Sequence, residues 1–361
     1  MVSESRRSGR REKNEPVAVV GMSCRLPEAA DYAQYWRLLS EGRDALSDAP
    51  EERWPAGSAA GYRRGGFIAD VEAFDAIFFG ISPGEATAMD PQQRLVLELS
   101  WQALEHARIV PTHLRGTSTG VFVGAIAGDY AVLHDRLGAA AASSYAMTGT
   151  QRGLIANRVS YLLGLQGPSL TIDTGQSSSL VAVQAACESL RRGETRLALA
   201  AGVNLNLLPE TTDAIGRTGA LSPDGRCYVF DSRANGYVRG EGGAVIVLKP
   251  LSAALADGSP IHCVILGGAV NNDGGGDGLT VPSRVAQEDV IRLACRRAGV
   301  RPVDVQSMPP RLGIATRSRV SPTTESKSSQ AADSTSSLAG LTVTTSANTD
   351  HRRPTGGFGG D

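Results

Sequence analysis

The residue types and spacing best suited to chemistry lie in one run, GPSLTIDTGQSSSLVAVQAACESLRRGE, at residues 167–194. Its apolar start predicts a buried strand reaching Asp173, Thr174-Gly175 predicts a tight turn, and three serines ahead of an apolar period predict a helix opening at Ser177. Strand, sharp turn and helix start together lift one side chain out of a sheet and aim free backbone N–H groups at its neighbour. The residue so placed is Gln176. Its amide nitrogen has a lone pair delocalised into the carbonyl and is no nucleophile, but its N–H₂ can donate hydrogen bonds.

Other groups read as structural. The five cysteines (Cys24, Cys187, Cys227, Cys263, Cys295) contain no C-x-x-C pair, which fits a reduced, cytoplasmic chain without a structural zinc. Cys187 falls within the helix after the elbow and reads as a small core residue. The run NNDGGGDG at 271–278 lacks the lysine and hydroxyl of a phosphate loop, and Gly21-Met22-Ser23-Cys24 lacks the dinucleotide fingerprint. His262 opens an apolar strand, where a structural role is expected. Arg233, Asn235, Arg239 and Glu241 form a charged, glycine-spaced loop in which a structural ion pair is expected.

The elements that must carry the elbow follow from apolar patterning. Short buried strands are predicted at residues 17–20, 120–124, 170–173, 197–204, 244–249 and 261–268, with a helical period over 86–108 (Leu95, Leu99, Trp101, Leu104) and another over 178–192. Non-alternating apolar strands are usually covered on both faces, which predicts an α/β fold with a mostly parallel sheet between helices. The chain has 361 residues, 41% hydrophobic and 20% charged, and a net charge of −1, which favours no nucleic-acid partner. Residues 1–14 carry Arg and Lys with no apolar core behind them, a composition that predicts a disordered arm rather than a membrane span. From 307 to 361 the chain turns Ser/Thr-rich and then Gly-rich without apolar period, and disorder is expected there too.

The elbow Asp173-Thr174-Gly175-Gln176-Ser177-Ser178-Ser179-Leu180 resembles the D-T-A-C-S-S-S-L elbow of the ketosynthase (β-ketoacyl synthase) domains of modular type I polyketide synthases. EPVAVVGMSCRLP (15–27), DPQQRLVLELSWQALE (90–105), ANRVSYLLGLQGPSLTIDT (156–174), LSPDGRCYVFDSRANGYVRGEGGAVIVLKPL (221–251) and Asn272-Asp273-Gly274 follow in family order. The resemblance implies a thiolase-like fold of layers αβαβα. Residues 15–250 would form its first half, 251–306 the start of the second, and the later strands would have no counterpart in the tail, leaving the second half incomplete.

In that family the elbow cysteine takes an acyl group from a carrier protein, so Gln176 in its place implies that no acyl-enzyme forms and no condensation occurs. Decarboxylation stays chemically open, because donors at a thioester oxygen stabilise an enolate without a covalent step. Gln-for-Cys ketosynthases of loading modules do this with malonyl- or methylmalonyl-carrier protein. The domain begins almost at Met1, as expected of a loading module. The alternatives are an inactive ketosynthase fragment or pseudogene product, and a chain-length-factor-like partner subunit.

The resemblance further implies an acyl carrier protein and an acyltransferase domain as partners, a homodimer, and no cofactor beyond the carrier's phosphopantetheine arm. Thr174 and Ser177 beside the elbow are the expected substrate-binding residues, with Phe358 of GFGG by one alignment of the tail. By another, His351 takes the place of the family's second histidine. The family's H-G-T-G-T and N-x-G-H motifs are absent, and the simplest expectation is an unrelated or frameshifted tail after residue 306.

Overall fold

The computed structural model describes residues 15–58, 61–138, 142–229, 231–275, 282–305 and 340–344. In chain order the elements are β1 (Val17–Arg25), α1 (Tyr32–Glu41), β2 (Ser47–Asp48), β3 (Arg64–Gly65), α2 (Pro83–Ala88), α3 (Pro91–His106), β4 (Gly120–Ala125), α4 (Asp129–Leu137), α5 (Ala146–Thr150) and α6 (Leu154–Leu163). There follow β5 (Ser169–Ile172), α7 (Ser178–Arg191), β6 (Ala198–Asn204), α8 (Pro209–Gly216), β7 (Gly242–Pro250), α9 (Leu251–Ala256), β8 (Cys263–Ala269), α10 (Arg284–Ala298) and β9 (Gly340–Thr344).

Seven strands form one sheet in the order β5-β4-β6-β7-β1-β8-β9. Both of its faces are covered. Ala18, Val20, Val121, Val123, Val245 and Val247 point to α3 and α6, whereas their strand neighbours Val17, Val19, Phe122 and Leu248 join Ala182, Ala186 and Leu190 of α7 on the opposite face. Burial on two sides explains why these strands read as unbroken apolar runs. The expected mostly parallel sheet is corrected. β5, β4 and β6 run parallel, as do β8 and β9, but β7 is antiparallel to both β6 and β1, and β1 is antiparallel to β8. A strand buried on both faces loses its polar alternation whichever way its neighbour runs, so direction leaves no trace in composition.

The helical period at 86–108 divides into α2 and α3 because Pro91 sits at the first position of α3, where its missing N–H costs nothing. Leu95, Leu99 and Leu104 are buried, while Trp101 instead meets Phe78 edge-on at 4.9 Å between ring centres. Asp90 caps α3, accepting from the Gln92 N–H at 2.8 Å and from Gln92 Nε2 at 3.1 Å. Burial pushes its pKa up from 3.8 to about 6, against the lowering effect of those two hydrogen bonds and of Arg94. A carboxyl raised on folding holds its proton longer in the folded chain, so its contribution is full below pH 3.8 and is lost as pH rises through about 6. Asp90→Asn is therefore expected to remove that slope from the stability–pH curve, read from urea melts across this range.

Helix α7 lies directly on the sheet at two glycines. A Cβ at Gly124 of β4 would come 2.4 Å from the Ser179 nitrogen, and one at Gly202 of β6 would come 2.6 Å from the Ser179 Cβ. Gly124→Ala must push the start of α7 off the sheet and is expected to cost about 1–3 kcal/mol in urea unfolding. Gly153→Ala is the control: its φ is −54° and nothing lies within 4 Å of the added carbon, so it is expected to be neutral or stabilising by up to about 1 kcal/mol.

The tail departs from expectation at one place. Gly340–Thr344 is paired in parallel with β8 as β9, where no strand was expected after residue 306. The N-terminal arm and the remainder of 306–361, including His351 and Phe358, lie outside the described residues.

Candidate active site

The elbow forms where the sequence places it. β5 ends at Ile172, Gly175 takes the left-handed conformation at φ 65°, and α7 begins at Ser178 with Ser177 as its N-cap residue. The turn is braced by its own hydroxyls. Ser178 Oγ accepts from the Thr174 N–H at 2.9 Å and donates to the Gly175 carbonyl at 2.5 Å; Ser177 Oγ donates to the Thr174 carbonyl at 2.9 Å. Thr174 Oγ1 and Ser177 Oγ share a further bond of 2.9 Å. Asp173 accepts from the Gly175 N–H at 3.2 Å and pairs with Arg152, whose guanidinium holds the Asp173 carboxyl below its usual range.

Gln176 stands exposed beyond this turn, and among the described residues no group hydrogen-bonds its side-chain amide. It lines a cleft of about 510 Å³ together with Gly124–Ile126, residues 202–204, Ser178, Ser179 and the loop 237–241. The cleft therefore opens at the C-terminal ends of the parallel strands β4 and β6, where ligands of open α/β sheets bind. Thr174 and Ser177, the two expected substrate contacts, stand in the turn beside the cleft, their hydroxyls bonded to each other and that of Ser177 to the Thr174 carbonyl.

The charged loop divides into separate roles. Glu241 is buried and accepts from Arg53 Nη1 at 2.8 Å, the Ile68 N–H at 2.9 Å and the Asn206 N–H at 3.0 Å, a structural clamp. Arg233 pairs with Asp231 at 2.8 Å, and Asn235 bonds Ser222 and Asp224, each at 2.8 Å. Of the loop's basic and amide side chains Arg239 alone reaches the cleft, with Nη1 donating to Thr212 Oγ1 at 2.6 Å. Sequence reading missed Arg53, Asn206 and Asp129, a buried carboxylate that accepts from the Leu207 and Leu208 N–H groups and from Thr211. No local pattern marks them, since their partners lie far along the chain.

No described histidine lines the cleft. His262 lies tilted by 30° against His106 at 4.5 Å, with Tyr32 stacked on His106 at the same spacing, and burial followed by the neighbouring His106 lowers the His262 pKa. This agrees with a structural role for His262. Cys187 is fully buried, and burial pushes its thiol up to about 12, far from a reactive thiolate. Among the described residues no cluster of His, Cys, Asp or Glu could hold a metal ion, and no helix is long and apolar enough to cross a membrane.

Known proteins share this arrangement. The family "Beta-ketoacyl synthase, N-terminal domain" matches residues 14–254 and "Beta-ketoacyl synthase, C-terminal domain" matches residues 262–311. Polyketide synthase GfsA of Streptomyces halstedii is 58% identical over 301 residues, which cover 81% of this chain and 4% of that protein. A phenolphthiocerol/phthiocerol polyketide synthase of Mycobacterium tuberculosis is 47% identical over 302 residues, 81% of this chain and 16% of that protein. The chain thus spans a small part of these relatives. The ketosynthase from module 6 of the bacillaene synthase from Bacillus subtilis superposes with a TM-score of 0.73 at 38% identity, covering 80% of this chain and 49% of that one. The oxazolomycin ketosynthase domain OzmH KS7 of Streptomyces albus gives 0.75 at 38%, covering 81% and 52%. With a thiolase-like sheet, an elbow at its expected place and both family halves matched in order, the chain belongs to the beta-ketoacyl synthase family, as a polyketide synthase ketosynthase domain.

Proposed function

We propose that this domain is a loading-type ketosynthase relative that decarboxylates a malonyl- or methylmalonyl-carrier protein and forms no acyl-enzyme. The observation that carries the reading is Gln176 at the elbow, its amide free of described intramolecular partners and lining the cleft. A thioester carbonyl seated there would accept from the amide N–H₂. When the bond between the α-carbon and the carboxylate breaks, the electron pair passes into an enolate, carbon dioxide leaves, and a proton from solvent completes the acetyl or propionyl group. Donors at the enolate oxygen stabilise the charge that develops in this step. The carrier's phosphopantetheine arm would deliver the substrate, an acyltransferase domain would load the carrier, and the setting would be cytoplasmic. The open edge of β5, with Leu170 47% exposed, supports pairing with a second copy.

The test incubates malonyl-carrier protein with the full chain and follows the carrier by mass spectrometry. Conversion to acetyl-carrier protein is the expected result. A second reading, an inert ketosynthase relative, draws on the lack of a described histidine at the cleft. It is the outcome if malonyl-carrier protein persists at the rate seen in buffer.

A further inference from the structure

We propose that Arg239 is a specificity residue that anchors a carboxylate, so that the cleft selects acyl groups ending in a free carboxylate over plain acyl groups. The inference rests on the decarboxylase reading and names the group that the site recognises at the end opposite the thioester.

Arg239 and Gln176 line one cleft, whose walls are otherwise mostly glycine, alanine and aliphatic side chains, and among the described residues no other cation lines it; Arg239 also lines an adjoining cleft of about 300 Å³, in whose wall its partner Thr212 stands. The Arg239 side chain is half-buried, yet among the described residues no carboxylate comes within 4.0 Å of it. Its only described hydrogen bond is the one to Thr212. The two nearby acids that act on it electrostatically are both committed elsewhere: Glu241 to Arg53 and two backbone N–H groups, Asp129 to Leu207, Leu208 and Thr211. Burial opposes its charge, but a guanidinium stays protonated in proteins. A half-buried guanidinium that lines a cavity and has no carboxylate partner of its own keeps N–H donors for an anion that arrives with the ligand.

The chemistry also limits what Arg239 does. A contact to the carboxylate exists in the bound substrate and disappears as carbon dioxide leaves, so it strengthens binding without stabilising the transition state. Arg239 therefore lowers KM and kcat together, whereas Gln176 raises kcat.

The experiment measures calorimetric binding of two phosphate-free probes to the full chain: malonyl-pantetheine and acetyl-pantetheine with nitrogen in place of the thioester sulfur. The wild-type chain is expected to prefer the malonyl probe by about 10- to 100-fold, the range for charge-assisted hydrogen bonds to one carboxylate. Arg239→Gln is expected to bring both probes to the same weak affinity, and Arg239→Lys, which keeps the charge without the planar fork, to retain a smaller preference. The Lys variant reads the same contact should the Gln variant fail to fold by circular dichroism. The proposal is overturned by no preference or no binding in the wild-type chain, or by an undiminished preference in Arg239→Gln. It is also overturned if that variant weakens both probes equally, or if it affects only a 4′-phosphopantetheine probe, which would assign the guanidinium to the phosphate. Because neither probe depends on turnover, this result is independent of whether malonyl-carrier protein loses carbon dioxide.

Discussion

Gln176→Ala is expected to slow carbon dioxide release from malonyl-carrier protein by about 10²- to 10³-fold in kcat, the loss that follows removal of one donor to a developing oxyanion. Stability should hardly change, because the amide is exposed and bonds nothing among the described residues. Gln176→Cys tests the same position from the other side. A thiol at the start of α7 gains thiolate character from the helix dipole, and the neighbouring N–H groups are already in place. This variant is expected to gain the mass of an acyl group on incubation with an acyl thioester, while the wild-type chain stays at its own mass. An acyl adduct on wild-type Gln176, or decarboxylation undiminished in Gln176→Ala, would remove the basis of the proposed function.

Arg53→Leu is expected to lower stability by about 3–5 kcal/mol, the usual cost of leaving one member of a buried ion pair unpartnered. The Glu241 side chain is 0% exposed and holds Arg53 together with the Ile68 and Asn206 N–H groups, so removing the guanidinium strands a carboxylate on two donors. Arg53 also donates to the Ile68 carbonyl at 3.2 Å and lies over the Phe67 ring, and leucine can replace neither interaction. A fall in the urea midpoint with an unchanged slope is the expected signature. Arg25→Leu provides the contrast. That guanidinium pairs with Glu98 at 2.9 Å with both side chains partly open to solvent, and its loss should cost about 1 kcal/mol or less.

The part of the site legible in the sequence is the part built locally. Strand, turn and helix lie within one short stretch, so the position of Gln176 could be read from residue types alone. The clamp beside it could not: Glu241 lies 188 residues from Arg53 and 173 from Ile68, and nothing in a charged, glycine-spaced loop says which of its members is buried. Thr174 and Ser177 show a second limit. A hydroxyl beside a cleft and a hydroxyl closing a turn look alike in sequence, and the part that both hydroxyls play in the turn shows only in the structure. The sheet shows a third, since apolar strands covered on both sides were identified as strands but carried no record of the antiparallel placement of β1 and β7.

That placement has a consequence for how the chain is made. β1 is the first described strand to emerge during synthesis, yet its two neighbours are β7, reaching Pro250, and β8, beginning at Cys263. At the usual ribosomal pace of about 5–20 residues per second, Val17–Val20 must wait on the order of ten seconds or more without a ladder partner. In that interval its apolar side chains have no sheet to pack in, whereas β5 follows its own ladder partner β4 along the chain.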